Sequence, residues 1–182
     1  EEKQARKISD IFDLVIHLNQ EAEKKYNENL EKVKEENSEL TEEELEEKLK
    51  AVEMVPLQDK LKQLRSIISN QTSDDLSDET LITFLESDKS ELVIAKDMTL
   101  DAIRTVMREE IRLNDVDGAK DLVEKKIVPS TVSSHKLYQA MIEIARFAIT
   151  ANYINDNEAT ELAKQAARDS VEPVMIREGQ LI

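Results

Sequence analysis

The sequence predicts a mainly α protein: a multi-helix domain with a long N-terminal helical hairpin and a small C-terminal β-hairpin element. Only two glycines and three prolines occur among its 182 residues, whereas sandwiches, barrels and parallel α/β folds need many more tight turns. Apolar residues make up 40% of the chain, yet there are three Phe, three Tyr and no Trp. A core of aliphatic side chains, Met and Ala suits the packing of helices against one another.

The charge and the cysteine count exclude several classes of function. Lys and Arg total 25 against 40 Asp and Glu, a formal net charge of −15, which argues against nucleic acid and anionic lipid as partners. There is no cysteine, so a disulfide framework and a thiolate metal site are both excluded. The longest nearly uncharged apolar stretch, Phe147–Ile154, is too short to span a bilayer. Because the chain begins at Glu1 without Met or a signal peptide, we expect it to be a piece of a larger protein.

Residues 1–55 are predicted to form a projecting helical hairpin. The first helix, Lys7–Val33, has apolar residues at helical spacing in its first half and is highly charged in its second. Thr41 and Glu44 form a capping box that begins a second helix, which runs to about Met54 and stops before Pro56. A coiled-coil partner surface is the alternative, but the apolar seam is too broken for sustained heptads.

Residues 56–170 are predicted to form a helical core. Side chains that can accept a hydrogen bond from the first helical turn stand before three of its helices, at Ser77, Thr99 and Ser133 or Ser134. Ser90–Ala95 is predicted as helix or loop. The other predicted helices are Leu57–Ser69, Asp78–Leu85, the segment from Thr99 to about Leu113, Asp117–Lys126, His135 to about Asn152, and Glu158–Asp169. We treat 1–182 as a single domain that ends in a terminal β element, 171–182.

That terminal element is predicted from an extended apolar run, a turn and the start of a second run. The residues concerned are Val171, Pro173, Met175, Ile176, Gly179, Leu181 and Ile182. Alternating apolar residues around a glycine are typical of a β-hairpin. The partner strands of such a small sheet are expected to lie outside this sequence.

The candidates for chemistry in this chain are few. His17 and His135 are the only histidines, and neither stands near a second ligand in the sequence, so both are interpreted as structural. A weak calcium candidate follows the EF-hand spacing around Gly118, with Asp115, Asp117, Asp121 and Glu124 at the third, fifth, ninth and twelfth positions. Leu113 stands at the first position and cannot bind calcium. The alternative is a tight turn with Gly118 in the left-handed conformation. We predict no metal, no cofactor and no catalytic residue.

The C-terminal residues carry a specific resemblance. The matching positions are Asn152, Asp156, Thr160, Val171, Pro173, Val174, Gly179, Leu181 and Ile182. An Asn and an Asp lead into a helix, which is followed by Val-x-Pro-Val and a Gly-x-Leu-Ile strand. This pattern resembles the end of the extracytoplasmic domain in the bacterial seven-transmembrane HD-domain cyclic di-AMP phosphodiesterases.

The resemblance implies a non-catalytic sensory or regulatory domain. Its parent would be tethered to the membrane, with this domain on the extracytoplasmic face and a cytoplasmic HD domain that hydrolyses cyclic di-AMP at a di-metal centre. The HD ligands lie outside this chain, so no catalytic residue is carried over. The implied partners are a small ligand or an extracytoplasmic protein, with a homodimer left open. The alternative function is a helical chaperone-like or scaffold interaction module, which the charged hairpin would suit.

Overall fold

A computed structural model of the chain describes residues 2–37, 39–69, 76–153 and 164–165. The chain divides into two compact units, Glu1–Asn152 and Tyr153–Ile182. The described part of the first unit consists of α-helices and short 3-10 turns, with no strand among the described residues. In the second unit only Tyr153 and the helical residues 164–165 are described. The predicted β-hairpin of 171–182 and the helix Glu158–Asp169, apart from 164–165, lie outside the described residues.

The described helices of the first unit confirm the mainly α prediction. They are α1 (Glu2–Glu36), α2 (Glu42–Lys50), α3 (Leu57–Ser69), α4 (Asp78–Glu86), α5 (Lys89–Met107), α6 (Val116–Lys126) and α7 (His135–Ala148). Two 3-10 turns, Leu113–Asp115 and Pro129–Thr131, stand before α6 and α7. The helix predicted at 57–69 is confirmed to the residue. The caps predicted at Ser77 and Ser134 are confirmed, since each side chain accepts a hydrogen bond from the first turn of its helix.

The core lies where the first part of α1 packs against α5, α4, α7 and α3. The apolar residues of α1 recur at helical spacing and are buried up to Ala22. Phe12 on α1 meets Phe84 on α4 with ring centroids 4.9 Å apart and the planes tilted by 52°. Both rings are completely buried. α7 also packs into this core and contacts α1, α4, α5 and α6.

The rest of α1 and all of α2 contribute no buried residue. The predicted capping box is confirmed, because Thr41 and Glu44 satisfy each other's backbone N–H groups. α2 ends at Lys50, four residues before the predicted Met54. The two helices contact each other, and Lys48 donates a hydrogen bond to Asn37. Their projection as a hairpin stays a prediction.

The helix cap predicted at Thr99 is wrong. Thr99 lies inside α5, which runs without interruption from Lys89 and includes the Ser90–Ala95 segment. Its side chain is completely buried, and its hydroxyl has no hydrogen-bond partner among the described residues. The sequence shows the capping chemistry of threonine, but burial on the apolar stripe with Leu92, Ala95 and Ile103 decides its place.

Other predicted details differ as well. Gly118 lies in the first turn of α6 and not in a left-handed turn, and a Cβ there would meet nothing within 4 Å. α7 ends at Ala148 rather than near Asn152, because Ile149 already has an extended backbone. Ile67, predicted on the buried face of α3, is 37% exposed, whereas Leu64 and Ile68 are buried.

Candidate functional site

Helix α7 carries two charged residues that join neighbouring helices. Glu143 and Arg146 lie about one turn apart, on the side of the helix that faces away from its buried stripe. A cleft of about 490 Å³ lies beside α4 and another of about 560 Å³ lies beside α6. Glu143 and Arg146 line both clefts. Through these two residues the polar side of α7 contacts both α4 and α6.

Glu143 binds the N-terminal end of α4. Its carboxylate accepts hydrogen bonds from the Ser77 backbone N–H at 2.7 Å, from Ser77 Oγ at 2.8 Å and from Thr80 Oγ1 at 2.7 Å. Ser77 also accepts a hydrogen bond from the Thr80 backbone N–H, and so it caps α4 at the same time. A carboxylate here is favoured because the N-terminal end of a helix has a partial positive charge.

The three hydrogen bonds set the ionisation of Glu143. Partial burial, the largest single influence, raises the pKa of its carboxyl group. The bonds donated by Ser77 and Thr80 together outweigh burial and hold the pKa below the ordinary value of 4.5. Because the pKa is lower in the folded state, the ionised carboxylate stabilises the fold at pH values above the ordinary pKa of 4.5. This contribution is lost as the pH falls through the lowered pKa, because the unfolded chain then binds the proton more readily.

In the Glu143→Gln variant, the free energy of unfolding is therefore expected to fall less steeply than in the wild type as the pH drops below about 4.5. The expected reason is that the glutamine side chain takes up no proton in this range. Urea unfolding followed at several pH values between neutral and acid measures the effect. Glu79→Gln is the matched control, since Glu79 lines the same cleft and its side chain makes no hydrogen bond with the described residues. Equal acid slopes for the two variants would contradict the prediction.

Arg146 joins α7 to α6. Its Nη1 lies 2.8 Å from Asp121 Oδ1 and 3.2 Å from Glu124 Oε2. The hydrogen bond to Asp121, followed by the charges of the two carboxylates, raises the pKa of Arg146 despite partial burial. Because the side chains are partly exposed, the two ion pairs fix orientation more than they add stability.

The four carboxylates of the calcium candidate do not lie in an EF-hand loop. Asp117, Asp121 and Glu124 lie on one helix instead of a twelve-residue loop, and Asp115 lies at its N-terminal end. Two of these carboxylates already bind Arg146. Among the described residues, no group of three or more potential ligands could hold a metal ion.

Asn152 forms the last contact of the first unit. Its Oδ1 accepts a hydrogen bond from the Ile111 backbone N–H at 2.8 Å, and its Nδ2 donates to the carbonyls of Met107 at 2.8 Å and Glu109 at 2.9 Å. The backbone N–H of Asn152 donates to the Ile111 carbonyl at 3.0 Å. We call this set of bonds the Asn152 latch. It fastens the segment after α7 to the C-terminal end of α5, where helical carbonyls lack partners in the helix.

The structure accounts for one of the family-motif residues and for both histidines. Asn152 is the motif residue that lies within the described chain, and its side chain is fully used in the latch. The other motif residues, Asp156, Thr160, Val171, Pro173, Val174 and Gly179, lie outside the described residues. His17 pairs with Glu21 on the surface of α1 at 3.6 Å, and His135 lies against Tyr138 with ring centroids 6.1 Å apart.

Sequence reasoning missed Glu143, Arg146 and Lys60 as polar residues that join helices. Lys60 on α3 donates a hydrogen bond to Asn19 on α1. Each of the three is one charged residue among many in a chain with 36% charged residues. Their partners lie far away in the sequence, 66 residues in the case of Glu143 and Ser77. For Glu143, the one signal in the sequence is a carboxylate that stands between the apolar residues Ile142 and Ile144 of α7.

The class of protein follows from comparison with known families. The sequence model of the family described as 7TM-HD extracellular matches residues 1–182, so the chain belongs to the extracytoplasmic domains of that family. A search of curated proteins found the Cyclic-di-AMP phosphodiesterase PgpH of Bacillus subtilis (strain 168), which is 34% identical over 122 residues. The match covers 67% of this chain and 17% of that relative. No solved structure matches the chain.

The family description places the domain outside the cytoplasm, in a membrane protein. Within the described residues, no helix is both long enough and apolar enough to cross a membrane. The family resemblance inferred from the C-terminal motif is thus confirmed.

Proposed function

We propose that this chain is the non-catalytic sensory or regulatory domain of a membrane-bound HD-domain phosphodiesterase. The cytoplasmic part of that parent would hydrolyse cyclic di-AMP at its own di-metal centre. The match to the extracellular domain family over 1–182 is the single observation that carries the proposal. The named activity of the relative, of which this chain matches only 17%, supports the assignment of catalysis to another part of the parent.

The Asn152 latch suggests how a signal would leave the domain. It ties the end of the first unit to α5, the helix that contacts α1, α6 and α7. A ligand or protein that binds one packing of these helices better than another would shift the population of latched chains. The downstream segment would pass this shift to the membrane helices, and so to the HD domain. Coupling of this kind must act in both directions, so the state of the HD domain would also change affinity at the receiving site.

The test compares the full-length parent with a version in which residues 1–182 are replaced by a flexible linker. Cyclic di-AMP hydrolysis is measured in membranes that contain equal amounts of the two proteins. We expect the rates to differ by about 5-fold or more in at least one growth or ligand condition, the lower end of typical allosteric coupling. The proposal fails if the rates agree in every condition. An unchanged amount of protein in the membrane is the control for insertion and folding.

A further inference from the structure

A groove of about 660 Å³ lies between the middle of α1, the residues after α2, the start of α3 and the α4–α5 connection. We call it the Lys60 groove. This volume falls within the range of pockets that bind small molecules, about 300–1,000 Å³. Apolar side chains, among them Ile16, Met54, Leu85 and Leu92, form part of its lining. The side chain of Met54 is 55% exposed and is therefore accessible to a ligand.

Lys60 supplies an incompletely balanced positive charge inside the groove. Its Nζ donates a hydrogen bond to Asn19 Oδ1 at 3.0 Å. Lys60 forms no ion pair with any of the described residues. Partial burial lowers the pKa of the ammonium group, and the more distant charge of Glu86 opposes the shift without cancelling it. An arriving carboxylate would therefore both pair with the ammonium and offset part of its desolvation.

Negative groups line another part of the same groove. Glu23 follows Asn19 by four residues on α1, so the two side chains lie on one face of the helix, about 6 Å apart along its axis. Asp88 lines the groove from the α4–α5 connection and makes no capping hydrogen bond with its side chain. Neither carboxylate pairs with a cation among the described residues. The lining thus carries both signs of charge, with Lys60 and Lys89 against Glu23 and Asp88, beside apolar and amide side chains.

From this arrangement we propose that the Lys60 groove binds a short apolar peptide as a zwitterion. The C-terminal carboxylate pairs with Lys60, and the N-terminal ammonium group pairs with Glu23. A peptide of two residues is the shortest that carries both terminal charges together with two apolar side chains, and the apolar part of the lining offers contacts for them. The apolar side chains of the peptide contact Ile16, Tyr26 and Met54.

Such a ligand would act on helix packing at the place where it binds. The groove joins α1, α3 and α5, and α5 bears the carbonyl groups that hold Asn152 at its far end. Occupation of the groove stabilises this packing by mass action. This inference rests on the proposed sensory function for its biological meaning, but binding itself is testable without it.

The test uses the 182-residue chain and the dipeptide Leu-Leu as probe. Leu-Leu amide lacks the carboxylate, and N-acetyl-Leu-Leu lacks the ammonium group. Titration calorimetry and thermal melting are expected to show saturable binding of Leu-Leu and at least tenfold weaker binding of both modified peptides. Lys60→Met, which keeps an apolar stem, should weaken Leu-Leu binding by tenfold or more. Lys62→Met is the matched control, because Lys62 is exposed on the same helix and pairs with Asp59 outside the groove.

Glu23→Gln provides a second variant that does not depend on the folding of Lys60→Met. It should weaken the binding of Leu-Leu but not of N-acetyl-Leu-Leu. Absence of Leu-Leu binding, or equal binding by Lys60→Met and the wild type, would overturn the inference. If Leu-Leu binds as expected but leaves hydrolysis by the full-length parent unchanged, the binding site is supported and its regulatory role is contradicted. If Leu-Leu does not bind while removal of the domain changes hydrolysis, the peptide site is contradicted and the proposed regulatory function is supported.

Discussion

Replacement of Asn152 by alanine is expected to lower the free energy of unfolding by about 2–3 kcal/mol. The substitution removes one accepted and two donated hydrogen bonds of the Asn152 latch. Each bond contributes about 0.5–1.5 kcal/mol, and water can reach some of the groups left behind because the residue lies at the surface. Urea unfolding of the chain measures the loss.

Two further variants separate the latch from a general surface effect. Asn114→Ala changes an exposed asparagine whose side chain makes no hydrogen bond with the described residues, and we expect a change within about 0.5 kcal/mol. Asn152→Asp keeps an acceptor for the Ile111 N–H but places a negative charge beside the carbonyls of Met107 and Glu109. It should therefore be no more stable than Asn152→Ala. If Asn152→Ala were as stable as the wild type, the hydrogen bonds of the Asn152 latch would not contribute to stability and the prediction would be contradicted.

Phe12→Ala is expected to be the most destabilising single substitution, at about 3–5 kcal/mol. The ring is completely buried between α1 and the core, so alanine leaves a cavity that the surrounding helices fill only in part. The substitution also removes the tilted contact with Phe84, a geometry that adds about 0.5–1.5 kcal/mol beyond burial. Thermal melting and urea unfolding of the purified chain measure the effect.

Phe147→Ala is the matched control for Phe12→Ala. Phe147 lies on α7, lines the cleft beside α6 and is only partly buried. Because much of its area already contacts water, its removal should cost clearly less. The packing argument would be contradicted if the two alanine variants lost equal stability. A double-mutant cycle with Phe84→Leu then isolates the contact between the two rings.

The helices could be predicted from the sequence because their signals are local. The buried residues of α1 and α7 recur every three or four positions, and the polar caps at Ser77 and Ser134 stand directly before their helices. Where two local signals competed, tertiary burial decided between them. Thr99 has a capping side chain, yet it lies on the continuous apolar stripe of α5 and is enclosed by the core.

The candidate sites could be predicted only in part. The resemblance of the C-terminal motif identified the family, which the family match confirms, and it singled out Asn152. It could not show what Asn152 binds, since its partners stand 41 to 45 residues earlier in the chain. The EF-hand spacing around Gly118 suggested calcium. In the structure most of these residues form helix α6, so their carboxylates lie along a helix and do not face a common point as they would in a loop.

The sequence by itself determined that this protein is helical, acidic and a member of its family, because composition, periodicity and a terminal motif are properties of the chain alone. Only the tertiary structure decided which polar residues meet. Glu143 reaches the start of α4, Lys60 meets Asn19 across the groove, and Asn152 fastens onto α5. These contacts depend on the angles and spacing at which helices pack around a shared core, and no local pattern in the sequence specifies them.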